Sequence, residues 1–148
     1  MGVRMKRDDL FGRWKIVSWI QRYDDGRVTF PLGEKLKGFV DYGEAGMFLV
    51  IERASRSAFV TGGQWNADVT EKAQAYDAYL SYAGDYDVEG DVVNHHVRHC
   101  LFPNWEGGLQ RRTAVLEGDT LQLVARLESG TSEARTATLE WRRDRALT

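Results

Sequence analysis

The sequence predicts an all-β fold, either a barrel or a sandwich, with about nine strands and a single helix. The chain has 15 glycines but only 2 prolines. The glycines cluster between runs of β-forming residues, as they do in hairpin turns. The strand and helix patterns do not alternate along the chain, as a fold built from βαβ units would require. The length of 148 residues suits one domain, and residues 1–148 are predicted to form it.

Each predicted strand is a run of β-branched, aromatic or aliphatic residues that ends at a turn. Three turns carry acidic residues around a glycine: Asp24-Asp25-Gly26, Glu89-Gly90-Asp91 and Glu117-Gly118-Asp119. The segment Gly43-Glu44-Ala45-Gly46 makes a fourth turn, and a loop holds Pro31 and Gly33. The predicted strands are residues 13–23, 27–30, 38–42, 47–53, 84–88, 92–101, 109–116, 120–127 and 135–143.

One segment breaks the strand pattern and predicts a helix within residues 67–82. Asp68 and Glu71 have the spacing of a capping box, and Gly84 marks either the helix end or the turn into the next strand. A lone helix cannot form a core, so it is expected to pack across one opening of the barrel or against its wall. The apolar stripe that predicts it consists of Val69, Ala73, Tyr76 and Leu80.

Composition and charge exclude several classes of protein. Hydrophobic residues make up 43% and charged residues 28% of the chain, which indicates a globular protein. The net charge of −2 argues against nucleic-acid binding, which needs a basic surface. The one cysteine, Cys100, allows neither an intramolecular disulfide nor a zinc site built on cysteines. Residues 1–10 lack the apolar stretch of a secretion signal, and no apolar run is long enough to span a membrane, so a cytoplasmic location is expected.

Residues 10–18, Leu-Phe-Gly-Arg-Trp-Lys-Ile-Val-Ser, resemble the first strand of lipocalins and fatty-acid-binding proteins. That signature is Gly-x-Trp followed by alternating apolar residues. In that superfamily the tryptophan lies at the barrel floor under a basic residue from the last strand. The resemblance therefore implies that Trp14 packs against Arg142 or Arg143, because an indole face attracts a guanidinium.

Further segments, in the same order along the chain, resemble the bacterial and fungal lipocalin-like domain family, whose members are short stand-alone barrels with a central helix. The resemblance covers nearly the whole chain. It implies a single antiparallel up-and-down β-barrel of about nine strands with one central helix. The segments that carry it are residues 79–88, 93–97, 102–107, 110–112 and 116–123.

Three histidines lie close together, at His95, His96 and His99. Neighbouring strand residues point to opposite faces, and His95 and His99 would lie about 13 Å apart, so no metal site and no cofactor are predicted. Two of the histidines are then ordinary surface or core polar residues, or one of them faces the interior as a hydrogen-bonding or acid–base group. The face that His95 shares with Val93 and Val97 is the more apolar, which favours His95, although the assignment stays open.

The neighbouring arginines Arg111 and Arg112 pose the same question, since one of them must face inward on a regular strand. Arg112 shares its face with Gln110 and Leu116. An inward arginine would bind a carboxylate or enolate oxygen, as it does in fatty-acid-binding barrels, whereas both side chains could equally be solvated. His95, His96 and Arg112 are therefore the candidate catalytic residues.

Aromatic residues are unusually frequent, with 5 Trp, 6 Tyr and 6 Phe. Trp65 and Trp105 lie in loop-like segments, where tryptophan either plugs a barrel end or forms the rim of a pocket. The predicted helix would bring Tyr76, Tyr79 and Tyr82 to one end of the barrel. The candidate ligand-binding residues are Tyr42, Trp65, Tyr76, Tyr79, Tyr86, His95, Trp105 and Arg112.

An apolar interior with a few polar groups is typical of a small-molecule site. The sequence thus predicts a barrel that binds a small, mostly apolar molecule with one polar or acidic end. The alternative is a cofactor-independent isomerase or cyclase that uses the same cavity. A haem barrel of the nitrobindin type and a filled barrel without ligand are further alternatives, and no histidine near the C-terminus supports the haem version. A small molecule is the expected partner, nucleic acid and membrane are not, and a homodimer stays open.

Overall fold

The computed structural model describes residues 5–145, so residues 1–4 and 146–148 of the predicted domain lie outside the described part of the chain. The described residues form nine strands and one α-helix, joined by turns and loops. The helix, α1, spans Val69–Asp77, and two short 3₁₀ turns span Arg7–Leu10 and Pro103–Trp105. The strands are β1 Gly12–Tyr23, β2 Val28–Thr29, β3 Leu36–Tyr42, β4 Met47–Arg53, β5 Tyr79–Glu89, β6 Val92–Cys100, β7 Leu109–Glu117, β8 Thr120–Leu127 and β9 Arg135–Arg143.

The strands form one antiparallel sheet that closes on itself. Sequential strands pair from β3 to β9, and β1 pairs with both β3 and β9. Eight strands therefore make a closed barrel, and the short β2 pairs with the end of β1 as an extra strand. The predicted up-and-down barrel is confirmed. Closure removes the exposed sheet edges that would otherwise pair with other chains.

One end of the barrel is closed by tryptophan. Trp14 and Trp141 are wholly buried there together with Leu10 and Leu121. The Trp14 indole Nε1 donates to the carbonyl oxygen of Leu10 at 2.9 Å. The guanidinium of Arg143 lies over the Trp14 ring, with Cζ 4.0 Å from the ring centroid, whereas Arg142 is exposed. The structure thus confirms the packing that the resemblance implied and selects Arg143 as the basic residue.

The helix is shorter than its apolar stripe predicted. It ends at Asp77, and β5 begins at Tyr79, which pairs with Glu52 of β4. Leu80 consequently lies on a strand, because pairing along the whole of β4 outweighs the local helical pattern. No residue of α1 is buried, and Val69 is 80% exposed. The stripe therefore does not face the core.

The predicted capping box is also absent. The side chain of Asp68 makes no cap hydrogen bond. Glu71 accepts hydrogen bonds from the backbone amides of Val60 and Thr61 and from the Thr61 hydroxyl, so it secures the preceding loop. The helix lies in the connection between β4 and β5, and no helix within residues 5–145 has the length and hydropathy to cross a membrane.

A bulge between β5 and β6 changes which side chains of β6 face inward. Ala83 pairs with His99 but Gly84 pairs with Val97, so Arg98 is the extra residue. The strands approach so closely here that a Cβ atom on Gly84 would lie 1.9 Å from the carbonyl oxygen of His96. Before the bulge, inward residues follow the predicted alternation. After it the alternation is reversed, and His99 is exposed.

Candidate functional site

The half of the barrel opposite Trp14 contains a cavity of about 320 Å³. This volume lies near the lower end of the roughly 300–1,000 Å³ found for small-molecule sites. Most of its wall is aliphatic or aromatic, and its polar residues come from β1, β5, β6, β7 and β9. The lining residues are Trp19, Gln21, Leu49, Leu80, Tyr82, His95, Trp105, Gln110, Arg112, Leu123, Leu127, Arg135, Ala137 and Leu139.

Aromatic rings form one side of this cavity. Trp105, in the 3₁₀ turn after β6, packs edge-on against Tyr82 with a centroid distance of 6.1 Å. Phe102 packs against the same indole at 5.8 Å. Trp19 reaches the cavity from β1, where a bulge between Ile16 and Ser18 shifts the register with β9. These contacts hold Trp105 and Tyr82 against one another in the wall.

His95 is the most buried polar residue of the cavity wall, at 1% exposure. Its Nε2 lies 2.6 Å from the hydroxyl oxygen of Tyr42, and its Nδ1 lies 2.6 Å from that of Tyr82. Tyr42 and Tyr82 are 2% and 5% exposed. The three side chains, from β3, β5 and β6, thus form a buried hydrogen-bonded chain that we call the Tyr42–His95–Tyr82 chain.

Burial keeps this chain uncharged. Desolvation lowers the pKa of His95 to about 3, and the nearby charge of Arg112 acts in the same direction. Desolvation raises the pKa of Tyr42 and that of Tyr82 well above the ordinary value for a phenol. At neutral pH the imidazole and both phenols are therefore neutral.

The cavity wall holds two half-buried arginines, and one of them, Arg135, is paired with Glu128. The other is Arg112. One terminal nitrogen donates to the side-chain oxygen of Gln110 at 2.7 Å, and the other donates to the carbonyl oxygen of Arg111 at 3.0 Å. Within residues 5–145 it forms no ion pair, and no aspartate or glutamate lines the cavity. Burial lowers the pKa of Arg112, but a guanidinium remains protonated at any physiological pH. The wall thus holds a positive charge without a carboxylate beside it.

The two glutamines and Trp19 of the wall also present hydrogen-bond donors. Gln21 accepts a hydrogen bond from Nε of Arg135 at 3.0 Å, as Gln110 does from Arg112. Because an arginine only donates, each glutamine turns its oxygen to the arginine, and its amide NH₂ has no hydrogen-bond partner among residues 5–145. The buried Nε1 of Trp19 has no hydrogen-bond partner within the described residues. The cavity therefore offers hydrogen-bond donors.

A family model described as a lipocalin-like domain matches residues 11–144 of the chain. The chain belongs to this family. Comparisons with the curated proteins and with the solved structures find no match. For a lipocalin-like domain, the closed barrel and its cavity are consistent with the binding of a small molecule.

The structure of this lipocalin-like domain brings together part of the predicted site. His95, Trp105 and Arg112 line the cavity, and Tyr42 contacts His95 from the adjoining core. Gln110 and Arg112 share the inward face of β7, while Arg111 lies on the outward face and is exposed. For Arg112 and His95, therefore, the structure decides the orientations that strand alternation left open.

Other predicted residues lie outside the cavity. His96 is exposed and its Nε2 lies 2.5 Å from a carboxylate oxygen of Asp87. Tyr86 is buried, but its hydroxyl donates to the carbonyl oxygen of Gly43 at 2.7 Å, near the closed end. Trp65, Tyr76 and Tyr79 line a surface groove beside α1, and Trp65 is 81% exposed. Tyr79 and Tyr82 lie on β5, which corrects their placement on the helix.

Several residues of the wall escaped the site prediction for this lipocalin-like domain. Trp19, Gln21 and Arg135 sit at positions where the bulge in β1 and the pairing of β1 with β9 turn them inward. Tyr82 was expected on the helix. A period-two pattern over residues 79–89 would have placed it on a strand, but the helical stripe overlapped that segment.

The three histidines of the lipocalin-like domain do not converge. His95 faces the interior, whereas His96 and His99 are exposed. The bulge at Arg98 turns His99 outward, so the alternation that would place it on the same face as His95 is interrupted. Residues 5–145 contain no group of three or more His, Cys, Asp or Glu arranged to hold a metal ion.

Proposed function

We propose that this barrel binds a small, mostly apolar molecule whose anionic end is held by Arg112. The observation that carries the proposal is the half-buried guanidinium of Arg112 in a mostly apolar wall to which residues 5–145 contribute no carboxylate. A buried charge is costly unless it is paired, and a ligand carboxylate or enolate would supply the missing partner. The aliphatic and aromatic wall would cover the rest of the ligand.

The cavity volume limits the size of this ligand. About 320 Å³ accommodates a bicyclic aromatic acid or a short acyl chain better than a long lipid. The rings of Trp105 and Tyr82 favour a flat hydrocarbon body. A naphthalene carboxylate is therefore a suitable probe of this site.

A cofactor-independent enzyme in the same cavity is the second candidate, and the convergent donors favour it, because they would stabilise negative charge that develops on a substrate oxygen. Both ring nitrogens of His95 are engaged by phenols, and no carboxylate from the described part of the chain lines the cavity. The lining residues thus place no free base beside a substrate C–H bond. This arrangement favours binding or a cyclisation over an isomerisation that begins with proton abstraction.

The test compares 2-naphthoate with 2-naphthylmethanol and 2-naphthylmethylamine by isothermal titration. We expect the carboxylate to bind about 10- to 100-fold more tightly than the alcohol, the value of a charged hydrogen bond, and the amine to bind least. Arg112→Met keeps the apolar stem but removes the charge, so it should reduce carboxylate affinity to that of the alcohol.

Arg111→Met is the matched control, because Arg111 is the exposed neighbour on the same strand. It should leave the binding of all three probes unchanged. Equal binding of the carboxylate and the alcohol to the unaltered protein would contradict the proposal, as would an Arg112→Met variant with unaltered carboxylate affinity. Absence of binding by every probe would favour a filled barrel.

A further inference from the structure

The Tyr42–His95–Tyr82 chain contains one more proton than its two hydrogen bonds require. Each neutral phenol carries one proton and the neutral imidazole carries one, which makes three. One phenol must donate to the unprotonated ring nitrogen, and the protonated ring nitrogen must donate to the other phenol. The phenol that accepts in this way still has its own O–H, which must point out of the chain.

The two ends of the chain differ in where that last proton can go. Within the described residues, the hydroxyl of Tyr42 has no hydrogen-bond partner besides His95, and Tyr42 does not line the cavity. The ring of Tyr86 packs against the ring of Tyr42 at an interplanar angle of 63°, with the ring centroids 4.9 Å apart. Tyr82, in contrast, forms part of the cavity wall. A buried hydroxyl proton without an acceptor is unfavourable, so the proton belongs at the Tyr82 end.

We infer that Tyr42 donates to Nε2 of His95, that Nδ1–H of His95 donates to Tyr82, and that the Tyr82 hydroxyl donates into the cavity to the ligand. Tyr82 is then a ligand-binding residue, and Tyr42 and His95 are positioning residues that act through it. The inference rests on the proposed function for the identity of the ligand group, but the direction of the chain does not depend on it.

This direction defines the chemical class of the ligand. Arg112 and Tyr82 line the same cavity, and the nearby guanidinium acts electrostatically on the Tyr82 phenol. Two donors from neighbouring walls suit a group that accepts hydrogen bonds and donates none, such as a carboxylate or the anion of an enol or phenol. An ammonium group has no lone pair to accept from Tyr82 or Arg112. An alcohol can accept, but only as a neutral oxygen whose own O–H needs a further partner.

The direct test is the tautomer of His95 in the ligand-free protein. Long-range proton–nitrogen correlation spectra of uniformly ¹⁵N-labelled protein distinguish a protonated from an unprotonated ring nitrogen. Comparison with the His96→Gln and His99→Gln variants assigns the His95 signals, because both of those side chains are exposed. We expect Nδ1 to be protonated and Nε2 unprotonated. A spectrum with the proton on Nε2 would overturn the inference, whatever the protein binds.

Two matched variants test the roles with 2-naphthoate as the probe. Tyr82→Phe should lower its affinity about tenfold or more, because a charged hydrogen bond is lost. Tyr42→Phe removes the donor that directs the chain, so Tyr82 becomes free to donate to His95, and affinity should fall toward that of Tyr82→Phe. Affinity for 2-naphthylmethanol should change little in either variant.

The outcomes separate this inference from the proposed function. If Nδ1 carries the proton but 2-naphthoate does not bind, the chain has the inferred direction and the proposed ligand class is wrong. If 2-naphthoate binds through Arg112 but Tyr42→Phe or Tyr82→Phe keeps the original affinity, the proposed function stands and the inference fails. Urea unfolding of each variant at neutral pH shows whether it remains folded, and His95→Gln offers a polar replacement if either variant does not fold.

Discussion

The guanidinium of Arg143 lies over the indole of Trp14, with Cζ 4.0 Å from the ring centroid, and the two residues pair across β1 and β9. The guanidinium also donates hydrogen bonds to the backbone carbonyl oxygens of Phe11 and Asp9, at 3.0 and 3.1 Å. The first and last strands of the barrel are therefore joined by side chains as well as by the ladder. The contact between Arg143 and Trp14 lies at the closed end of the barrel, and the cavity lies in the opposite half.

Replacement of Trp14 by alanine should destabilise the protein by about 3–5 kcal/mol, because a wholly buried indole is lost and a void remains at the closed end. Urea unfolding followed by circular dichroism measures the change. Trp65→Ala removes an indole that is 81% exposed and should change the free energy of unfolding by no more than about 0.5 kcal/mol. Equal stabilities of the two variants would contradict the placement of Trp14.

Replacement of Gly84 by alanine should destabilise the barrel by about 3 kcal/mol or more, because the new Cβ would overlap the backbone of β6 at 1.9 Å and the bulge would have to open. The melting temperature of the variant reports this loss. Gly43→Ala is the matched control, since the nearest atom to its Cβ would be 3.8 Å away. A Gly84→Ala variant as stable as Gly43→Ala would show that the strands do not approach so closely.

The stability of the protein should fall as the pH drops from about 6.5 toward 3. The pKa of His95 is about 3 in the folded state and 6.5 for a free side chain, so between these values the unfolded state binds more protons. The contribution of neutral His95 to the free energy of unfolding is complete above pH 6.5. Below that pH it declines by up to about 1.4 kcal/mol per pH unit.

Urea unfolding at pH 7, 6, 5 and 4 measures this dependence, and other acidic groups contribute to it as well. The informative quantity is the difference between the unaltered protein and His95→Gln, which should shrink as the pH falls. His99→Gln changes an exposed histidine and should keep the full pH dependence. A constant difference between the unaltered protein and His95→Gln would contradict a neutral, buried His95.

Local signals were sufficient to predict most of the barrel. Glycine turns and period-two runs placed eight of the nine strands close to their observed positions, because a hairpin depends on residues that are near in sequence. The start of β5 was missed, since residues 79–82 fit a helical stripe as well as a strand. Pairing with β4 decided between the two, and a pairing partner 27 residues away (Glu52 for Tyr79) leaves no local signal.

The candidate site was predictable only in part. Alternation made one of Arg111 and Arg112 an inward residue, but the sequence had no means to choose between them. The face of His99 depended on the bulge at Arg98, and the bulge depends on how β5 and β6 approach at Gly84. A single extra residue reverses the side-chain alternation, so pattern reasoning fails beyond it.

By itself the sequence determined that this chain has an all-β fold of about nine strands with cationic and imidazole side chains among them, and its resemblance to lipocalins implied a barrel with a tryptophan at the floor. Only the tertiary structure decided which of those polar groups meet. Tyr42, Tyr82 and His95 come from three strands and are up to 53 residues apart, yet 2.6 Å contacts join them. Hydrogen bonds act over a few ångströms in space, and barrel closure, not sequence proximity, brings these side chains within that range.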